Sequence, residues 1–316
     1  MINNIIFLDA NTINPNEIDL GIFSNFGNFA YYERTQVNQI IERAKDANIV
    51  LTNKTVLNSD TLAQLPKLKY IGVTATGYNC VDIPAAKALG ITVCNVAGYS
   101  TMSVAQQTMA MILAFTNRLA EHESLADWAA QPDFCYYKNP IIELSGKTLG
   151  LVGFGEIAQK VAQMAETFGL KILFYKTSPM ANPPYGATQV DFETLLRESD
   201  YLSLHCPLTA NNQHLIQAST LALMKPTAIL INTARGPLVH EADLKVALDT
   251  GNIAGAYLDV LSVEPPTANH ILAGTRNLKI SPHIAWASVE ARKRLVDIVY
   301  ANITNYLAGT PTNVIA

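Results

Sequence analysis

The 316-residue chain has few cysteines, a small net charge and no long apolar run, and each of these shortages excludes a class of protein. The four cysteines, Cys80, Cys94, Cys135 and Cys206, form no Cys-x-x-Cys pair, so we expect reduced thiols in a cytoplasmic protein rather than a disulfide framework. The net charge of −4 argues against a general binder of nucleic acid or of an anionic membrane, because either would need a basic face. No apolar run approaches the roughly 18–20 residues that a membrane span needs.

The sequence also lacks the marks of a secretory leader and of a metal site. Residues 1–4 show no basic segment followed by an apolar core, so no signal peptide is predicted. The histidines have no metal-ligand spacing among themselves, and we predict no catalytic metal. Hydrophobic residues make up 49% of the chain and charged residues 15%, which is typical of a folded protein of about two domains.

What the chain does contain is an alternation of short apolar runs with helical stretches. Several runs are apolar nearly throughout, as in strands that helices cover on both faces of a parallel sheet. The pattern predicts an α/β fold of the doubly wound type. The predicted strands are Ile5–Leu8, Ile49–Leu51, Tyr70–Val73, Thr92–Asn95, Thr148–Val152, Lys171–Tyr175, Tyr201–Leu204, Ala228–Asn232, Gly255–Asp259 and Leu278–Ile280.

The strands form two series, of which the first ends near residue 98 and the second opens at Thr148. A helix predicted from about Ser103 to Glu121 joins them. The apolar spacing of Val289–Leu307 predicts a further helix, which could return to pack on the first series. Two series joined in this way are expected to leave a cleft, which is where α/β proteins usually bind a ligand.

A glycine-rich turn follows the first strand of the second series. The segment Gly153-Phe154-Gly155-Glu156-Ile157-Ala158 has the G-x-G-x-x-A pattern between a predicted strand and a predicted helix, which is the context of a dinucleotide-binding site. The first glycine permits the tight turn, the second lets the backbone approach a pyrophosphate, and the helix N-terminus attracts the phosphates. An ordinary tight turn is the alternative. Glu156 suits the first turn of a helix but adds no attraction for pyrophosphate.

The residues after the next strand predict which dinucleotide is bound. A site for NAD usually has a carboxylate about 20 residues after the turn, where it accepts a hydrogen bond from the ribose 2′-hydroxyl. This chain has Lys176-Thr177-Ser178 there, a cation and two hydroxyl groups suited to a 2′-phosphate. We therefore predict a preference for NADPH over NADH, with a solvated loop lysine as the alternative.

Three segments carry polar groups at the carboxyl ends of predicted strands, where open α/β sheets bind ligands. Arg235 offers a planar fork of donors and a permanent charge, suited to a substrate carboxylate and ketone. His283 can give a proton to the ketone oxygen at neutral pH, and Glu264 would orient its ring and favour its charged form. Each residue alone has an ordinary structural explanation, but together they predict reduction of a 2-keto acid.

In order along the chain, these segments resemble the D-isomer-specific 2-hydroxyacid dehydrogenase family over about residues 45–310. Within it, Cys94–Val96, Phe134–Cys135 and Ala285–Ser288 look like the glycerate dehydrogenase/hydroxypyruvate reductase branch. The segments that carry the family resemblance are Ala75–Asn79, Ser103–Gln106, Leu149–Ala158, His205–Thr209, Ile231–Pro237, Leu258–Val260 and Ser281–His283.

The resemblance implies a flavodoxin-like substrate domain of residues 1–98 plus 286–316, a Rossmann cofactor domain of residues 99–285, and homodimers formed through the cofactor domain. The implied substrate-binding residues are Asn53, Thr76, Gly77, Arg235 and His283. The implied cofactor-binding residues are Gly153, Phe154, Gly155, Glu156, Ile157, Lys176, Thr177, Ser178, His205, Cys206, Pro207, Thr108, Thr233, Ala234 and Asp259, with Asp259 near the nicotinamide carboxamide and Thr108 near the phosphates.

The reaction implied is reduction of hydroxypyruvate or glyoxylate to D-glycerate or glycolate, with NADPH favoured and NADH as the alternative. Other substrates of the family stay open, among them D-lactate-like acids and phosphoglycerate. A dinucleotide-sensing corepressor that binds proteins is the alternative from a different class. The acidic charge balance and the set of Arg235, Glu264 and His283 favour an enzyme.

Overall fold

The computed structural model describes residues 2–14 and 16–316, which form two compact units. The first unit comprises Met1–Ser100 and Ala287–Ala316, and the second comprises Thr101–Trp286. Each unit is built on one parallel sheet, so the predicted α/β class with two doubly wound sheets is confirmed. Within the described residues, no helix is both long and apolar enough to cross a membrane.

The strands are β1 (Asn3–Phe7), β2 (Gly27–Tyr31), β3 (Ile49–Thr52), β4 (Tyr70–Val73), β5 (Thr92–Cys94), β6 (Thr148–Val152), β7 (Lys171–Tyr175), β8 (Thr188–Gln189), β9 (Tyr201–Leu204), β10 (Ile229–Asn232), β11 (Gly255–Leu258) and β12 (Leu278–Ile280). The α-helices are α1 (Ile40–Ala44), α2 (Ser59–Ala63), α3 (Ile83–Ala88), α4 (Thr101–Thr116), α5 (Leu119–His122), α6 (Leu125–Ala129), α7 (Glu156–Thr167), α8 (Phe192–Glu198), α9 (Ala218–Leu221), α10 (Glu241–Asp249) and α11 (Val289–Leu307).

The sheet of the first unit has the order β2-β1-β3-β4-β5, which is the flavodoxin-like arrangement. The inner strands β3 and β4 are buried along their whole length, as the continuous apolar runs predicted. The C-terminal residues complete this unit. On α11, Asn302 donates from Nδ2 to the carbonyl of Asn95 at 3.0 Å, and Ile315 donates its N–H to Val93 at 2.7 Å.

The sheet of the second unit has the order β12-β11-β10-β9-β6-β7-β8, a Rossmann order with one strand added beyond β11. From β6 the chain proceeds outward through β7 and β8, and then crosses to β9 on the other side of β6. The strand order therefore reverses between β6 and β9. The carboxyl ends of these two strands are the usual place for a ligand in such sheets.

Two strands and one helix differ from the sequence-based prediction. The strands β2 and β8 were not predicted, because β2 is an edge strand with mostly exposed side chains and β8 has only two residues. The helix predicted from Ser103 to Glu121 ends at Thr116, whose hydroxyl donates back to the carbonyl of Ile112 at 3.3 Å. Arg118 then adopts a left-handed conformation, with φ of 49°, before α5 begins.

Candidate active site

The glycine-rich turn lies between β6 and α7, and its two glycines have different surroundings. Gly153 has φ of +89°, and a Cβ added to it would lie 2.8 Å from the carbonyl oxygen of His205. Gly155 is the N-cap of α7, and a Cβ there would meet nothing within 4 Å. The first N–H groups of α7 have no partner within the helix, and the space in front of Gly155 is open. The turn therefore fits the phosphates of a dinucleotide.

The other side chains of the turn are divided between core and surface. Phe154 is buried and stacks on Phe174, with ring centroids 4.0 Å apart, so only its backbone can serve a cofactor. Ala158 is fully buried, which explains why a small residue is needed at this position. Ile157 is half-buried against the core, and Glu156 is exposed in the first turn of α7.

The loop after β7 carries the residues predicted to read the ribose. Lys176 is half-buried, and Thr177 and Ser178 are exposed. Gln189 of β8 braces this loop, since its Nε2 donates to the carbonyls of Lys176 and Ser178, both at 3.1 Å, and its Oε1 accepts from the N–H of Met180 at 2.9 Å. Sequence reasoning missed Gln189, because nothing in the local pattern marks a side chain that contacts residues nine to thirteen positions before it.

The segment His205-Cys206-Pro207 follows β9 and lies against the glycine-rich turn. The N–H of His205 donates to the carbonyl of Val152 at 2.8 Å, and its Nε2 lies 2.9 Å from the hydroxyl of Ser203. Burial lowers the pKa of His205 to about 4, so its ring is neutral at neutral pH. Burial also raises the pKa of the Cys206 thiol, which therefore stays protonated. Both side chains are uncharged neighbours of the turn.

The loop after β10 is closed by the buried side chain of Asn232. Its Oδ1 accepts from the N–H of Ala234 at 3.0 Å, and its Nδ2 donates to the carbonyl of Arg235 at 2.8 Å. The exposed guanidinium of Arg235 donates from Nη1 to the carbonyl of Ala234 at 2.7 Å. Half-buried Thr233 has its hydroxyl 3.3 Å from that of Thr108. Thr108 is fully buried on α4, and its contact with Thr233 joins that helix to this loop.

The loop after β10 packs directly on the loop after β11. A Cβ added to Gly236 would overlap the carbonyl group of Leu261 and the amide of Ser262. The N–H of Leu261 in turn donates to Oε1 of Glu264 at 2.8 Å. Close backbone packing at Gly236 thus fixes the start of the segment that carries Glu264.

Glu264 and His283 form the closest pair among the predicted site residues. Nδ1 of His283 lies 2.6 Å from Oε2 of Glu264, and each side chain is 32% exposed. His283 has a left-handed backbone with φ of +54°. The pair is thus accessible to a small molecule, while one ring nitrogen of His283 is committed to the carboxylate.

Asp259, buried at the end of β11, holds the loop around His283. Its Oδ1 accepts from the hydroxyl of Ser281 at 2.6 Å and from the N–H of Ile284 at 3.0 Å, and its Oδ2 accepts from the N–H of Ala285 at 2.9 Å. Its backbone carbonyl accepts from the N–H of His283 at 2.8 Å. The carboxylate of Asp259 therefore holds this loop, and its place near the nicotinamide, which the family resemblance implies, stays a prediction.

The residues predicted to bind substrate from the first unit lie in loops after β3 and β4. Asn53 is buried, and its Nδ2 donates to the carbonyl of Thr74 at 2.6 Å, so its amide holds the loop. The buried carboxylate of Asp9 accepts from the N–H of Asn53 at 2.8 Å. Thr76 is exposed and donates its hydroxyl to the carbonyl of Val96 at 2.8 Å, and half-buried Gly77 follows it. Their contacts with a substrate stay predictions.

Comparison with known proteins gives a match to a family model and to full-length relatives. The model for the D-isomer specific 2-hydroxyacid dehydrogenase, NAD binding domain, matches residues 109–285. A hydroxypyruvate reductase of Blautia hydrogenotrophica is 38% identical over 98% of this chain and 99% of its own length. A glycerate dehydrogenase of Methylorubrum extorquens is 39% identical over 100% of this chain and 99% of its own length.

Solved structures with the same fold cover the whole chain as well. The D-lactate dehydrogenase of Escherichia coli, in its apo form, has a TM-score of 0.88 at 25% identity and covers 99% of this chain and 100% of its own. An acyclic imino acid reductase in complex with NADPH and D-Arg has a TM-score of 0.85 at 29% identity, with the same coverage of both chains.

Proposed function

Because the chain belongs to the D-isomer specific 2-hydroxyacid dehydrogenase family, we propose that it reduces hydroxypyruvate or glyoxylate to D-glycerate or glycolate. The observation that carries this proposal is the accessible pair of Glu264 and His283, with 2.6 Å between Oε2 and Nδ1. The substrate class rests on the printed functions of the relatives, which are similar to this chain over almost its full length.

His283 is the proposed proton donor in this reaction. Its Nδ1 faces Glu264, which leaves Nε2 to deliver a proton to the ketone oxygen. Glu264 fixes the orientation of the ring and stabilises the charged imidazolium that gives up the proton. In the reverse direction, the same nitrogen takes the hydroxyl proton from the alcohol.

Arg235 is the proposed anchor for the substrate carboxylate. Its guanidinium is exposed and keeps its charge at any physiological pH. A 2-keto acid presents its carboxylate and ketone oxygens side by side, which suits a planar fork of donors. The hydrogen bonds of Asn232 hold the backbone of the loop from which the Arg235 side chain extends.

A nicotinamide cofactor would be held by the glycine-rich turn and the loop after β7. When bound in its reduced form, it supplies the hydride that reaches the keto carbon. We propose NADPH as the preferred form, since Lys176, Thr177 and Ser178 offer a positive charge and two exposed hydroxyl groups in place of a carboxylate. The substitution Lys176→Asp should move the ratio of kcat/KM toward NADH by about tenfold or more. An unchanged ratio, or a wild type that prefers NADH, would contradict the cofactor proposal.

The activity is tested by following absorbance at the nicotinamide band with both cofactors and a panel of keto acids. The panel should include hydroxypyruvate, glyoxylate, pyruvate and phosphohydroxypyruvate, so that the other substrates of the family are separate outcomes. His283→Asn should lower kcat by about 10² to 10⁴ while the cofactor still binds, because asparagine tolerates the left-handed backbone but donates no comparable proton. Full turnover in this variant would refute the role of His283.

We further propose that the chain forms a homodimer through an apolar arm, residues 119–142. Monomeric proteins rarely expose so many large apolar side chains in one segment. Phe134, for example, is 88% exposed. The exposed members of the arm are Leu119, Leu125, Trp128, Phe134, Tyr137, Ile141 and Ile142.

Light scattering after size-exclusion chromatography tests whether the arm forms the dimer contact. The double variant Leu125→Asp/Trp128→Asp should shift the mass from dimer to monomer, since it places charges in the centre of an apolar contact. Val246→Asp is the matched control, because Val246 on α10 is also exposed and apolar but lies outside the arm. A monomeric wild type, or a dimer that persists in the double variant, would contradict this assembly.

A further inference from the structure

A second carboxylate–histidine pair contacts the segment that carries Glu264. Glu241, the first residue of α10, accepts from the N–H of Ser262 through Oε1 at 2.8 Å. Its other oxygen, Oε2, lies 3.3 Å from Nε2 of His270. Both side chains are largely buried, with 13% of Glu241 and 17% of His270 exposed. Because these groups are largely buried, their polar contacts stabilise the fold more than a surface ion pair would.

The contacts of His270 define which ring nitrogen carries the proton. Nδ1 of His270 accepts from the N–H of Leu272 at 3.3 Å. The proton of a neutral ring therefore sits on Nε2, which faces Glu241. Glu241 thus accepts one hydrogen bond from Ser262 and lies 3.3 Å from Nε2 of His270, so it joins two points of the same segment to the start of α10.

This segment needs such contacts because it lacks regular structure. Between Leu258 at the end of β11 and Leu278 at the start of β12, no strand or helix lies in this described stretch. Glu264 sits within it, and its Oε1 accepts from the N–H of Leu261, next to Ser262. The position of Glu264 therefore depends on what holds residues 261–262.

We propose that Glu241, together with His270, is a positioning pair that keeps Glu264 aligned with His283. The hydrogen bonds and the ion pair of these two side chains go to the segment that carries Glu264, so we expect the pair to act on turnover through Glu264. The proposal rests on the proposed function, in which Glu264 orients the proton donor. Loss of Glu241 should leave cofactor binding intact and misplace the carboxylate, and a misplacement of about 1 Å can reduce turnover by up to about 10².

Four variants test this proposal. Glu241→Ala removes both contacts, Glu241→Gln keeps an oxygen for Ser262, and His270→Asn keeps an acceptor for Leu272 but removes the ring nitrogen that faces Glu241. Asp243→Asn is the matched control, because Asp243 is also in the first turn of α10 but accepts from Ala218 and pairs with His240 instead. For each variant, kcat, both KM values and the unfolding temperature are measured.

We expect Glu241→Ala to lower kcat at least about tenfold with the KM for the cofactor within about twofold of wild type. Glu241→Gln keeps the acceptor for Ser262 but turns an amide N–H₂ toward the protonated Nε2 of His270. It and His270→Asn should both fall between Glu241→Ala and wild type, and Asp243→Asn should match wild type. A kcat of Glu241→Ala equal to that of wild type or reduced no more than in Asp243→Asn would overturn the proposal. So would a glutamine variant no better than the alanine variant.

A second measurement keeps the test independent of the substrate. The ring resonances of His283, assigned by their loss in His283→Asn, report its contact with Glu264 by NMR. They should shift at constant pH in Glu241→Ala and stay in place in Asp243→Asn. If the wild type reduces no keto acid, the proposed function fails, and unshifted His283 resonances in Glu241→Ala would separately refute the positioning pair.

Discussion

The same substitution at the two glycines of the phosphate turn should give opposite defects. In Gly153→Ala, the new Cβ would lie 2.8 Å from the carbonyl oxygen of His205 on a backbone with φ of +89°. The left-handed conformation costs about 1–2 kcal/mol and the overlap about 1–3 kcal/mol, so we expect a loss of roughly 2–5 kcal/mol in the free energy of unfolding. In Gly155→Ala, the Cβ enters open space on an ordinary backbone, and stability should stay within about 1 kcal/mol of wild type.

The assay combines urea unfolding with cofactor titration. Both tryptophans of the chain, Trp128 and Trp286, belong to the second unit, so intrinsic fluorescence reports on the unit that contains the turn. Gly155→Ala should weaken cofactor binding by about tenfold or more, because its methyl group occupies the place where a phosphate approaches the backbone. A stable Gly153→Ala protein, or a Gly155→Ala protein with wild-type cofactor affinity, would refute the assignment of the two glycines.

Three further outcomes follow from contacts in the second unit. Gly236→Ala should lower kcat by about 10², since its Cβ would displace the backbone of Leu261 and with it Glu264, whereas unchanged kinetics would contradict this packing. As pH falls from about 6.5 toward 4, His205 stays neutral in the folded protein but takes up a proton in the unfolded chain. The free energy of unfolding of the wild type should therefore fall by about 2 kcal/mol by pH 5 from this group alone. Urea titrations of His205→Gln should lack that part of the loss. Asp259→Asn should lower the free energy of unfolding by about 1–3 kcal/mol, because the amide cannot accept all three hydrogen bonds of the His283 loop, and equal urea midpoints for wild type and variant would speak against that role.

Features encoded in local sequence could be predicted. The strand Thr148–Val152 is a continuous apolar run, and its boundaries agree with β6. The helix Val289–Leu307 follows from its apolar spacing and agrees with α11. The glycine pattern predicted a strand–turn–helix unit, because β6, the turn and α7 follow one another directly along the chain.

Features that depend on distant residues could not be predicted. The carboxylate of Asp259 holds a loop more than twenty residues further along the chain, a contact that no local pattern indicated, and its place near the nicotinamide stays a prediction. The sequence indicated no role for Glu241 or His270, because their partners are brought together only by the fold. The sequence marks which residues can do chemistry, whereas the supporting contacts depend on three-dimensional packing.

Gln189 holds the backbone of the loop after β7 independently of the side chains that this loop carries. The three hydrogen bonds of its side chain go to main-chain atoms of Lys176, Ser178 and Met180, so the side chains at 176 and 178 can be exchanged without losing them. Substitutions can therefore change the charge of this loop without changing the path of its backbone. Cofactor preference in this protein is in that sense an evolvable trait, which a few substitutions can redirect while the scaffold that presents them stays the same.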